Sequence, residues 1–174
     1  GAFRPNTTLV GWSSDPEQAE ERLETLRTIR DLGHSILMLS TKTPEEADPR
    51  EVPGGTIDVW WRGKENGPLM VLLAHLLVQN EGWREHKIRL LRVVNHQDGV
   101  EESERHLREL LETARIRAEA KAIVSEDPLG AIKETSKDAA IVLMGFRLPE
   151  HGENASYLTE STNHMLDKLG TVFL

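Results

Sequence analysis

Ala139-Ala140-Ile141-Val142-Leu143-Met144-Gly145 runs without a polar side chain. A strand with one face in water alternates apolar and polar residues, so this run reads as a central strand covered on both faces. Double cover belongs to a mostly parallel sheet flanked by helices, and the surrounding sequence alternates accordingly. Upstream, Glu119 to Ser125 reads as a strand, and Asp127-Pro128 starts a short helix through Ser136. Downstream, Asn154 to Lys168 reads as a helix and Thr171 to Leu174 as a last strand.

The first half repeats the theme. Thr7 to Trp12 reads as a strand, and Asp15 caps a helix with Pro16 at its first position. Ala19, Leu23, Leu26 and Ile29 give that helix one apolar stripe, and Gly33 ends it before a strand over Ser35 to Ser40. Residues 41–55, rich in Pro, Glu, Asp and Gly, read as an exposed loop. A strand over Thr56 to Trp61, a helix from Gly67-Pro68 to Asn80 and a strand over Lys87 to Val94 follow. Gly99 to Arg115 reads as a helix with the stripe Leu107, Leu110, Leu111 and Ala114. The fold class is thus α/β, one domain over residues 1–174.

Composition narrows the function. Apolar residues make up 38% of the 174 and charged residues 29%, enough for one core and unlike a disordered chain. The net charge of -8 disfavours a nucleic-acid partner and an anionic membrane surface. With no cysteine, disulfides and thiol chemistry are excluded. The longest apolar run, Leu69 to Val78 with His75 inside it, is about half a membrane span, so direct insertion is not expected. The chain opens on Gly1 and no signal peptide is visible, so a piece of a longer polypeptide is expected.

Catalytic constellations are scarce. Gly63-Lys64 resembles the end of a phosphate loop, but Asp58 stands in place of its first glycine and Glu65 in place of the magnesium-binding hydroxyl. His86, His96 and His106 are evenly spaced yet fall on a strand edge, a turn and a helix, which suits surface histidines better than a metal site. The acidic residues on helix faces read as solvated charge. No catalytic residue, cofactor or metal is assigned.

The helix-strand pair from Asp127 to Gly145 resembles the universal stress protein pattern, in which a glycine-rich turn after the strand cradles ATP phosphates. Here the turn reads Gly145-Phe146-Arg147-Leu148-Pro149, with leucine in place of the second glycine and a proline that offers no N–H. That fold is expected, and nucleotide binding through the turn is not. A stand-alone nucleotide-binding stress protein and a degraded α/β enzyme remain the alternative readings.

Thr56-Ile57-Asp58-Val59-Trp60-Trp61, then Gly67-Pro68 and a leucine-rich helix, resembles the signature of the cytoplasmic C-terminal domain of cation-chloride cotransporters. Arg4-Pro5-Asn6-Thr7-Thr8-Leu9 upstream, Trp83 with Ile88 to Val93, and Lys137 to Met144 are similar to further blocks of that family. The vertebrate members' long regulated insertion is reduced here to Glu126–Asp138, which points to a prokaryotic parent. The resemblance implies a membrane symporter that moves chloride with sodium or potassium. This chain would be the C-terminal lobe of its regulatory and dimerisation domain, on the cytoplasmic side, beside the transmembrane domain and an upstream lobe. Apart from any family, Trp60 and Trp61 side by side on a strand must point to opposite faces, so core packing on both sides is expected.

The helix from Pro68 carries apolar residues all round. Leu69, Leu72, Leu73, Leu76 and Leu77 are expected to lie on the sheet. Val71, Ala74, His75 and Val78 would then form a second, charge-free face for a homodimer, with cover by the upstream lobe as the alternative.

Overall fold

The computed structural model describes residues 6–13, 15–41, 52–63, 66–150, 162–166 and 169–173. Strand β1 (Thr7–Gly11) leads through a 3-10 turn (Pro16–Gln18) into α1 (Ala19–Asp31) and β2 (Ser35–Ser40). Then come β3 (Ile57–Trp60), α2 (Gly67–Val78), β4 (Ile88–Val94), α3 (Val100–Ala114) and β5 (Glu119–Val124). The chain closes with α4 (Pro128–Thr135), β6 (Ile141–Met144), α5 (Thr162–Leu166) and β7 (Thr171–Phe173). Most of the expected loop and the first part of the expected last helix lie outside the described residues.

The seven strands form one sheet in the order β1-β2-β7-β6-β3-β4-β5. Neighbours are parallel except at the β2–β7 joint, which is antiparallel and rests on two residue pairs, Leu39 with Phe173 and Ser40 with Val172. The polarity of this joint is invisible to sequence periodicity, which reports faces and not directions.

The strands predicted to be central are central. In β6 all four side chains are buried, and so are all four in β3, one strand over. Alternation then sorts them into two cores. Ile57, Val59 and Trp61 join Leu90, Ile141 and Leu143 under Met70, Val71 and Ala74 of α2 and Leu107 and Leu111 of α3. On the opposite face Trp60, Leu91, Val142, Met144 and Val172 pack with Leu26 of α1 and Leu166 of α5.

Helix ends follow their local chemistry. Asp127 caps α4, its Oδ1 accepting from the Gly130 amide at 3.0 Å. Asp15 accepts instead from the Glu17 amide at 3.0 Å, two residues on, which winds a tight 3-10 turn and delays α1 to Ala19. Gly33, at φ 78°, closes α1: its amide bonds to the Arg30 carbonyl and that of His34 to Ile29. In α3 the expected stripe holds for Leu107 and Leu111, while Ala114 at the last turn is exposed.

Candidate functional site: the signature strand and its buried ion pair

An aspartate in a strand covered on both faces must either lose its charge or find partners, because an unpaired buried carboxylate is prohibitively costly. Asp58, fully buried, finds four hydrogen bonds. Arg89, its register partner on β4, donates Nε to Oδ1 at 2.7 Å and Nη2 to Oδ2 at 2.5 Å. Thr56 Oγ1 donates to Oδ1 at 2.7 Å, and Ser136 Oγ, at the end of α4, donates to Oδ2 at 2.6 Å. The chain of bonds continues outward. Trp60 Nε1 donates to Ser136 Oγ at 3.0 Å, and Arg89 Nη2 also reaches the Thr135 carbonyl at 3.0 Å.

The fork-on-carboxylate geometry is the strong form of this contact. Hydrogen bonding to Asp58 raises the Arg89 pKa above its ordinary value, with burial opposing. A base whose folded pKa is raised stabilises the fold at every pH below its unfolded value and stops doing so only as pH climbs past the folded one. For a guanidinium that window lies far above neutrality, so Arg89 adds no pH dependence near pH 7.

The other signature residues have steric roles. The Thr56 carbonyl accepts from the amides of Ala140 at 2.8 Å and Ile141 at 3.3 Å, fastening the start of β3 to β6. Gly55, at φ 125°, lies so near that joint that an added Cβ would stand 2.2 Å from the Asp138 carbonyl oxygen. Ile57 and Val59 fill one core, and Trp60 and Trp61 enter opposite cores as their alternation requires. Gly67 opens α2 flat against the Trp61 ring, where a Cβ would come within 2.2 Å of Cζ3.

The α2 expectation is corrected. Val71 and Ala74, assigned to an outer self-association face, are buried against the sheet, and His75 and Val78 are half-buried. Leu72 and Leu76, assigned to the sheet, are 48% and 50% exposed. The physical reason is close approach. With Gly67 on the Trp61 ring the helix axis lies near the sheet, and the smaller Val71 and Ala74 fit beneath it; Leu73 and Leu77 pack at its flank as expected, while Leu72 and Leu76 are turned out. In a helix apolar all round, counting leucines does not identify the inner face.

The turn after β6 is also occupied. Phe146 and Leu148 pack with Trp12 against Ala19 and Leu23. Buried Arg27 donates to the Pro149 carbonyl from Nε and Nη2 at 3.2 Å each, and from Nη2 to the Glu150 carbonyl at 2.5 Å. The segment that would cradle phosphates is folded onto α1 by its own side chains. Arg27, Arg89 and Ser136 were not assigned roles from sequence. The legible signal was Asp58 itself, since an acid inside an apolar strand demands a cation from a neighbouring one.

A family model for solute carrier family 12 matches residues 46–168, a segment holding Asp58, Arg89, Ser136 and Gly67. A solved structure of the cytoplasmic domain of a prokaryotic cation chloride cotransporter is similar over 99% of this chain, with TM-score 0.68 and 17% identity. A universal stress protein from Archaeoglobus fulgidus DSM 4304 is similar over 97%, with TM-score 0.61 and 14% identity. These identities are low, so the likeness to both is one of fold. The chain spans 64% of the first and 59% of the second.

Replacing Gly67 with Ala should destabilise the fold by about 2 kcal/mol, since the new methyl meets an immobile ring. Trp61→Leu in the same chain should recover part of that loss. Urea unfolding measures both, and a Gly67→Ala midpoint equal to the parent's would refute the contact. By its matched segment, with the signature strand and both partners of its buried ion pair inside, the chain belongs to solute carrier family 12.

Proposed function

We propose that this chain is a cytoplasmic regulatory domain of a membrane cation:chloride symporter, in which the parent polypeptide moves chloride with sodium or potassium. The domain itself carries no ion and catalyses no reaction. The observation that carries this reading is that the Asp58 carboxylate, fully buried within the family's matched segment, is consumed by internal partners. It holds the domain together and offers nothing to a substrate. Among the described residues no helix is long and apolar enough to cross a membrane. The membrane-embedded part of the same polypeptide and an upstream lobe are its intramolecular partners in this proposal.

The test is chloride-dependent rubidium or sodium uptake by the parent polypeptide in proteoliposomes. Uptake should require chloride, and Ser136→Ala, which removes two buried hydrogen bonds, should reduce it while the membrane part remains folded. Uptake indifferent to chloride would contradict the reading.

Homodimerisation is retained in this proposal, moved to the opposite side of α2. Leu72 and Leu76 are exposed there, beside a groove lined by Leu37, Leu73, Leu77 and Leu143. Removing two leucines from water on each protomer gives a weak dimer once the cost of association is subtracted. Light scattering on the chain should show concentration-dependent dimers, lost in Leu72→Glu/Leu76→Glu. A parent monomeric at about millimolar concentration, where even weak association populates a dimer, would remove this face.

A further inference from the structure

Helices α1 and α3 end in the same way, and the residue at the turn differs. In α1 the left-handed position is Gly33, at φ 78°, where glycine carries no penalty. In α3 it is Arg115, at φ 55°, with its amide on the Glu112 carbonyl at 3.0 Å and the Ile116 amide on Leu111 at 3.0 Å. Arg115 is the one non-glycine residue at positive φ among those described. The Cβ of an arginine strains that conformation, and nothing the side chain touches repays the strain. Neither Arg115 nor Arg117 has an ion pair or a side-chain hydrogen bond among the described residues.

Both line a groove of about 500 Å³ between the end of α3 and the start of β5. Arg108 lines it as well, exposed and tied across 3.5 Å to the half-buried Glu104, whose other oxygen accepts from the Ala122 amide. The floor is apolar, made by Leu111, Ile116 and Ala118, and the one carboxylate in the lining is Glu112. Glu119, which pairs in register with Arg89 on β4, is not among the residues that line it. Three guanidinium groups against Glu112 and the Glu104 that pairs with Arg108 leave a local charge of about +1 in a chain whose total is -8.

We propose that this groove is a binding site for a phosphomonoester, held by Arg108, Arg115 and Arg117 with its carbon skeleton on the Leu111–Ile116–Ala118 floor. The forked donors of arginine match phosphate oxygens. A phosphomonoester carries close to two negative charges at neutral pH, so the net positive groove attracts it more strongly than it attracts a single carboxylate. Arginine at the left-handed position is then explained, because glycine would relieve the backbone and remove the central donor.

The experiment uses the 174-residue chain with two probes of one chemistry, glucose 6-phosphate by calorimetry and phosphatidic acid in phosphatidylcholine vesicles by flotation. Binding of the first alone assigns the site to a soluble ligand, and binding of the vesicles to a lipid headgroup; either supports the proposal. Arg115→Gly should melt several degrees higher than the parent as the strained turn relaxes. The same variant, and Arg117→Gln, should bind the probe roughly tenfold more weakly, as expected for one charge-assisted hydrogen bond. The proposal is overturned if neither probe binds at about 10 mM, a limit far weaker than any specific site. It is equally overturned if both variants bind like the parent.

Discussion

The arrangement turns on one buried carboxylate. Asp58 sits at 0% exposure on a central strand and ties together β3, β4 and the end of α4 through Arg89, Ser136 and Thr56. In net energy such a cluster is modest, because desolvating the charges offsets most of their attraction. Its larger effect is on uniqueness. Sliding β3 by one residue would carry Asp58 into the core beneath α2 and leave Arg89 facing an apolar neighbour. One register satisfies the pair, and that register also sends Trp60 and Trp61 to their separate cores.

Seen this way, the Thr56–Trp61 block and Gly67 are a fold signature. Each residue answers a steric or electrostatic demand inside the domain: an acid matched by a base, a ring matched by a glycine, a carbonyl shared by two amides. The turn after β6 follows the same logic, with Phe146 and Leu148 filling space that an open phosphate cradle would need, and Arg27 holding the backbone beyond them. The universal-stress-like sheet is preserved while the atoms at that turn serve packing.

Much of this was legible in the residues, for identifiable reasons. The apolar run at Ile141–Met144 could only be a doubly covered strand, and Gly33 and Asp127 mark helix ends by conformational and capping chemistry that acts locally. What failed to show in sequence was non-local. The α2 orientation depends on how closely a helix axis approaches a sheet, which was decided by Gly67 meeting Trp61 and not by the helix's own pattern. The antiparallel β2–β7 joint carries no periodicity signal. Arg89 has no sequence mark of its own, because its partner is set by the β3–β4 register and not by spacing along the chain. Arg115 gave no warning, since a left-handed turn is normally read from a glycine.

The central claim is that Asp58 and Arg89 act as a unit that holds the fold, and a double-mutant cycle tests it most directly. Urea unfolding would be measured for the parent chain, Asp58→Ala, Arg89→Met and the combined variant. Each single change strands a buried or half-buried charge and should cost about 3 kcal/mol or more. The double variant should be more stable than the sum of the two losses implies, by roughly 2 kcal/mol. Losses that simply add, to within about 0.5 kcal/mol, would mean that the two residues do not depend on each other, contradicting the account.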